Sequence, residues 1–252
     1  MTAEDCFLRK FGKNKVLMYF LKAYKWCISF FWGIKKEMTL REKIIFSLAN
    51  KFVKRGRRNV IRLEKAKCKH NLFFVSGRGN QISIGEGSEI ENVEFEVQGE
   101  NNCINIGKNV VLRNSLIAVA DKESLISIGD DTSIGKGAKF VALESSKVEI
   151  GKGCLFSTNI SIMNSDSHSI IDLKDHYRKN AASDVYVGNH VWLGENVTIL
   201  KGAEIQDNVI IGNRSMLLKG KYQSNSIYAG LPAKFIRGGV DWCHERVRDE
   251  FE

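Results

Sequence analysis

The 252 residues predict a mainly β protein, a parallel β-helix of short coils with a helical amino-terminal extension. Three observations carry this. Ile82-Ser-Ile84-Gly85, Ile104-Asn-Ile106-Gly107, Ile126-Ser-Ile128-Gly129 and Val148-Glu-Ile150-Gly151 recur every 22 residues, and Val187, Leu193, Ile199, Ile205, Ile211 and Leu217 then recur at each sixth position. One aliphatic residue in six is no helix period and is too sparse for simple strand alternation. It fits a coil of three short faces, each sending an aliphatic side chain inward, with glycine or asparagine at the turns, where positive φ costs least. Stacked coils bury a continuous ladder, so no repeat needs a core of its own. The third observation is the single proline, Pro232, since proline removes a ladder donor from any sheet interior.

In chain order, residues 1–70 form a basic helical front. They hold 19 of the 38 Lys and Arg against 5 of the 29 Asp and Glu, a balance of +14, while residues 71–252 hold 19 against 24, a balance of −5. Such asymmetry points to an anionic partner or to a solubilised helical face. Val16 to Ile34 is mostly apolar, but Lys22 and Lys25 interrupt it and argue against a membrane span. Two readings stand, an amphipathic helix in a membrane interface and a helix whose apolar face packs on protein. A second helix is expected from Thr39 through Phe52, with Thr39 and Glu42 in capping-box spacing. The run KRGRRNVIRLEKAKCKH then reads as a connector into a β-helix over 71–240, with a tail at 241–252. The 22-residue interval is expected to be an 18-residue coil of three hexads with a few residues bulging from one corner.

None of the six cysteines sits in a CxxC pair or clusters with histidine at ligand spacing, so a reduced cytosolic protein with ordinary thiols is expected. The opening MTAEDCFLRK carries acidic residues where a secretory signal would be basic.

The count breaks once, at an extruded loop over about 163–184. His168 lies there among Asn164, Ser165, Asp166, Ser167 and Ser169, so it is no core histidine, and its unperturbed pKa near neutrality suits a proton acceptor. Asp166 or Asp172 would hold the imidazole tautomer, Asp166 being preferred. When the hexads resume, Trp192 occupies a position that faces outward, with an Nε1–H that can only donate. His176 reads as a surface residue and His190 as a turn residue. His168, His176 and His190 lack metal-ligand spacing, and no metal is expected.

The runs VGNHVWLGENVTILKGAEIQDNVIIGNRSMLLKG and NSIYAGLPAKFIRG resemble the hexapeptide-repeat acyltransferases, whose fold is a left-handed parallel β-helix. The resemblance spans Ile82 to about Arg237. Within that superfamily, the SDSHSI loop with a tryptophan 24 residues after its histidine looks like the bacterial capsule and polysaccharide O-acetyltransferases, the sialic-acid capsule type above all. The resemblance implies His168 as catalytic base, Trp192 at the oxyanion, acetyl-CoA as donor and a homotrimer with sites between neighbouring β-helices. It implies Gly194, Lys219, Lys234 and Arg237 as contacts to the donor, the three cations meeting its phosphates. The acceptor implied is a hydroxyl of a surface polysaccharide, an anionic one suiting the basic front, and not nucleic acid. A cytoplasmic location follows, with the inner face of the membrane as a place for residues 1–70 to make peripheral contact. Leu231 stands where the family has asparagine before Pro-Ala-Lys, and the basic front belongs to no family pattern. Acetylation of a small nucleotide sugar or metabolite, and a non-catalytic β-helix scaffold, remain the alternatives.

Overall fold

The computed structural model describes residues 50–246, within a compact unit running from Ala49 to Glu252. Among the described residues there are three parallel sheets of eight, eight and nine strands. Each turn of chain contributes one strand to each sheet, giving eight coils. The first coil is Lys51–Arg57, Val60–Leu63 and Lys67–Lys69, and the second is Leu72–Arg78, Gln81–Ile84 and Glu89–Glu91. We number the faces one to three in that order.

The sequence repeat is the second face read edge-on. Ile82, Ile104, Ile126, Val148 and Val185 stand in register on successive coils and are buried. The hexad residues Val187, Leu193, Ile199, Ile205, Ile211 and Leu217 all point into the same interior. Each side chain so buried contributes about 1.5–3 kcal/mol relative to exposure. Asparagines serve the turns as expected, Asn92, Asn109, Asn159, Asn196 and Asn208 all having φ between 52° and 60°. A second asparagine set was not anticipated. Asn80 and Asn102 are fully buried, each amide carbonyl taking the backbone N–H of the coil above, from Asn102 to Asn80 at 2.9 Å and from Ser124 to Asn102 at 2.8 Å. These ladders pair backbone groups that a corner would otherwise leave unpaired.

The β-helix begins earlier than expected. Residues 51–69 form strands rather than a helix end and a connector, because KFVKRGR pairs residue for residue with LFFVSGR of the second coil. Phe52 stacks on Phe73 at 4.9 Å and Phe73 on Phe95 at 4.8 Å. Ile61, Leu63 and Cys68 pack against the core, while Arg62, Lys67 and Lys69 point out. Dense positive charge on the outward positions masked the inward repeat. The helices read over residues 1–49 lie outside the described residues.

The long coils also differ from expectation. Their extra residues lengthen the first face, whose strands Lys51–Arg57, Leu72–Arg78 and Glu94–Glu100 have seven residues against three in Ser161–Met163 and Thr198–Leu200. Gly56, Gly77 and Gly99 stack near the end of these strands. Gly77 has φ +108°, and a Cβ there would lie 1.9 Å from the Gly99 carbonyl oxygen, so no other residue fits.

At the other end, Ser226–Gly230 turns through Pro232 into Ala233–Gly238, which runs back antiparallel and closes the third face. The one proline thus occupies a turn where no ladder donor is needed. No helix among the described residues is long and apolar enough to cross a membrane.

Candidate active site

The loop leaves the first face of the sixth coil after Met163 and returns at Val185 on its second face, so it springs from the corner between them. Its root is a buried amide. Asn164 is inaccessible, its Oδ1 accepting from the Leu143 N–H at 2.9 Å and its Nδ2 donating to Ser146 Oγ at 2.9 Å. One coil away at the same corner, Glu144 accepts from Ser165 Oγ at 2.5 Å and from both Nη atoms of Arg178, at 2.5 and 3.0 Å. Hydrogen bonds from that guanidinium hold the Glu144 carboxyl below the usual range, as charge-assisted bidentate bonding does. One coil the other way, Lys201 donates to Asp166 Oδ2 at 2.5 Å and Asn180 Nδ2 donates to it at 2.7 Å. Lys201, with Asn180 second, pulls the Asp166 carboxyl down as well. The tip folds on itself, Ile171 and Arg178 forming an antiparallel bridge.

His168 is exposed, while its backbone is fixed. Its N–H donates to the Asp166 carbonyl at 2.7 Å and its carbonyl accepts from Asn180 Nδ2 at 2.7 Å. The Asp166 carboxylate, expected beside the imidazole, is engaged by Lys201 and Asn180. Asp172 Oδ1 accepts from the Lys174 N–H at 2.7 Å. His176 sits in the exposed tip with φ 59°.

Trp192 lies elsewhere. It stands on the third face, 40% exposed, in an outward column with Leu155, Ile210 and Ile227. Beside it sits a residue that sequence reasoning missed. Trp242, from the tail, is buried and stacks on His190 at 4.2 Å, with its centroid 6.1 Å from Trp192. Its Nε1 donates to the His190 carbonyl at 2.8 Å. His190 is therefore a turn residue, at φ 52°, that also holds the tail. Beyond the hexads Trp242 has no periodic register, and its only signal was a tryptophan in a polar tail.

Of the residues expected at the donor, Lys234 and Arg237 are exposed on the closing strand of the third face, three strands from Trp192, about 14 Å at ordinary strand spacing. Gly194 is buried at the turn after Trp192, and a Cβ there would lie 2.3 Å from Asn213 Oδ1. Lys219 falls at the first–second corner of the last coil, two coils from the His168 loop. One chain thus gathers His168, Asp166, Lys201 and Lys219 along a corner, and Trp192, Lys234 and Arg237 on the face opposite.

Residues 184–219 match the family described as bacterial transferase hexapeptide (six repeats). The polysialic acid O-acetyltransferase of Neisseria meningitidis is 34% identical over 99 residues, covering 39% of this chain and 46% of the relative. A putative lipopolysaccharide biosynthesis O-acetyl transferase of Escherichia coli strain K12 is 35% identical over 98 residues, covering 36% and 50%. The chain spans about half the length of these curated relatives. Among solved structures, a polysialic acid O-acetyltransferase superposes with a TM-score of 0.73 at 29% identity, over 79% of this chain and 93% of that one. A second, a polySia-specific acetyltransferase, gives 0.68 at 29%, over 81% and 92%. These neighbours are left-handed β-helices, and the fold here is of that class.

Proposed function

We propose that this chain, a hexapeptide-repeat protein similar to the polysialic acid O-acetyltransferases, moves an acetyl group from acetyl-CoA to a hydroxyl of a bacterial surface polysaccharide. The observation that carries the reading is the single break in the hexads. It ties a histidine by its backbone to one corner of the β-helix, while the resumed hexad sets a tryptophan on the opposite face. His168 takes the proton of the sugar hydroxyl as its oxygen attacks the thioester carbonyl. The Trp192 Nε1–H and a backbone N–H meet the oxyanion. When the tetrahedral intermediate collapses, the C–S bond breaks and the imidazolium returns its proton to the departing thiolate.

The third face suits the donor. The outward column Leu155, Trp192, Ile210 and Ile227 offers an apolar track for the pantetheine arm, and Lys234 and Arg237 offer cations for the phosphates. A corner and the face opposite it meet only between two copies, so the reading calls for a homotrimer in which His168 of one subunit works beside Trp192 of the next. The hairpin tip supports this with Leu173 at 84% and Tyr177 at 73% exposure, apolar surface that a neighbour would cover. Lys54, Arg55, Arg57, Arg58 and Arg62 are exposed on the first coil and favour a polyanionic acceptor. The same charge, with that of residues 1–49, suits peripheral contact with the anionic inner leaflet from the cytoplasm.

Thiol release from acetyl-CoA against a panel of capsular polysaccharides, with NMR of the product, tests the reading. We expect release with an anionic glycan and a loss of about 10²–10⁴-fold in His168→Ala. Near wild-type turnover in that variant sinks the mechanism, and release with nucleotide sugars alone moves the acceptor to a small molecule.

A further inference from the structure

We infer that Asn180 is a positioning residue for His168, the pin that fixes the backbone from which the imidazole swings. The inference rests on the reading of His168 as the base. Asn180 ends the returning arm of the loop and is 8% exposed. Its Nδ2 donates to Asp166 Oδ2 and to the His168 carbonyl, both at 2.7 Å. Its Oδ1 accepts from the Ile170 N–H at 2.7 Å and from Arg178 Nε at 3.2 Å. Its own carbonyl accepts from Lys201 Nζ at 3.0 Å and Arg178 Nη2 at 3.2 Å. One side chain thus ties three alternate residues of the outgoing arm, 166, 168 and 170, to the returning arm.

The chemistry of the four partners demands an amide. Two acceptors lie on one side and two donors on the other, so flipping the group would set N–H against N–H and carbonyl against oxygen. A carboxylate in its place faces the Asp166 carboxylate and the His168 carbonyl with no proton to give. An aliphatic side chain leaves all four groups without their partner in a half-buried site, each at the cost of desolvation. Lys201 completes the arrangement. It neutralises Asp166, so the pin carries no uncompensated negative charge beside the base, and it joins the returning arm to the next coil. With its N–H on the Asp166 carbonyl and its carbonyl on Asn180, the His168 backbone is held on both sides of the residue. Misplacement of a reacting group by about 1 Å costs on the order of 10²-fold in rate.

The pin shapes the base and touches neither donor nor acceptor, which gives it a signature that loss of folding does not share. In the full chain, with acetyl-CoA and the polysaccharide panel including polysialic acid, Asn180→Asp is expected to lower kcat by about 10- to 100-fold while KM for acetyl-CoA stays within about twofold. The Ile170 amide should exchange faster while the thermal midpoint of the β-helix holds. Pairing Asn180→Asp with Asp166→Asn restores a donor opposite an acceptor at residue 166 alone and leaves the His168 carbonyl facing a carboxylate, so most of the loss should persist. His168→Ala is measured alongside. If it loses turnover while Asn180→Asp stays within about threefold of wild type, or if the double variant returns to wild-type turnover, the inference is overturned and the base stands. If His168→Ala turns over like wild type, or the wild-type chain transfers to no member of the panel, the reading beneath fails and the inference falls with it.

Discussion

An indole N–H aimed at an oxyanion can be removed without removing the ring. Trp192→Phe keeps an aromatic face beside Trp242 and beside the apolar column, and deletes only the donor. Loss of one oxyanion donor costs about 10²–10³-fold in kcat, so we expect that fall in Trp192→Phe with little change in KM for acetyl-CoA, read by steady-state thiol release. A fall in Trp192→Ala with none in Trp192→Phe would reduce the residue to a packing surface. His168 and Trp192 were conspicuous in the sequence as candidates because each breaks a local rule, the one by interrupting a count and the other by setting a large ring on an outward hexad position. Asn180, Arg178 and Glu144 were not. A loop residue gains meaning only from what the loop folds against, and Glu144 meets Arg178 across 34 residues that no period relates.

The loop and its coil form a second level, tied by charge at the stem. A carboxyl held below its usual range in the folded loop is still ionised where the free group has begun to protonate. Its contribution is therefore fully present above the ordinary carboxylate value, about 4.3 for glutamate, and is lost as the pH falls through the folded value. Glu144 and Asp166 are both shifted in that direction. The N–H of Ile170 bonds Asn180 and that of Lys179 bonds the Ile170 carbonyl. Protection of those two amides from hydrogen exchange should hold from neutrality to about pH 5 and collapse below about pH 4, while amides of the β-helix core stay protected. Glu144→Gln should lower loop protection at neutral pH, where the carboxylate is ionised, and change it little once the pH has fallen through the folded value. Protection that ignores both the pH and this substitution would mean that the ion pair does not hold the stem. At this scale the sequence was a partial guide. The late hexads are spaced so regularly that their coils could be placed by counting, whereas the first coil went unrecognised because eight residues from Lys54 to Lys69 on its exposed surface are basic.

At the scale of the whole molecule, the proposed roles of His168 and Trp192 call for more than one chain, because the β-helix sets them on a corner and on the face opposite it. Asp166 is bonded to Lys201 on the next coil and Arg178 to Glu144 on the previous one, so His168 is held at its corner and does not reach the far face of its own chain. Neither residue can then be supplied twice by one subunit, and the two knockouts should complement. On the proposed mechanism, subunits carrying His168→Ala should be inactive alone, as should subunits carrying Trp192→Ala. Each mixed cyclic trimer, of either composition, sets an intact His168 beside an intact Trp192 in about a third of its sites. Co-expressed from one cell, with separate tags to isolate mixed trimers, the two variants should therefore return up to about a third of wild-type turnover per site. If both residues serve within a single chain, no mixed trimer contains an intact site, and activity stays at the level of the parents.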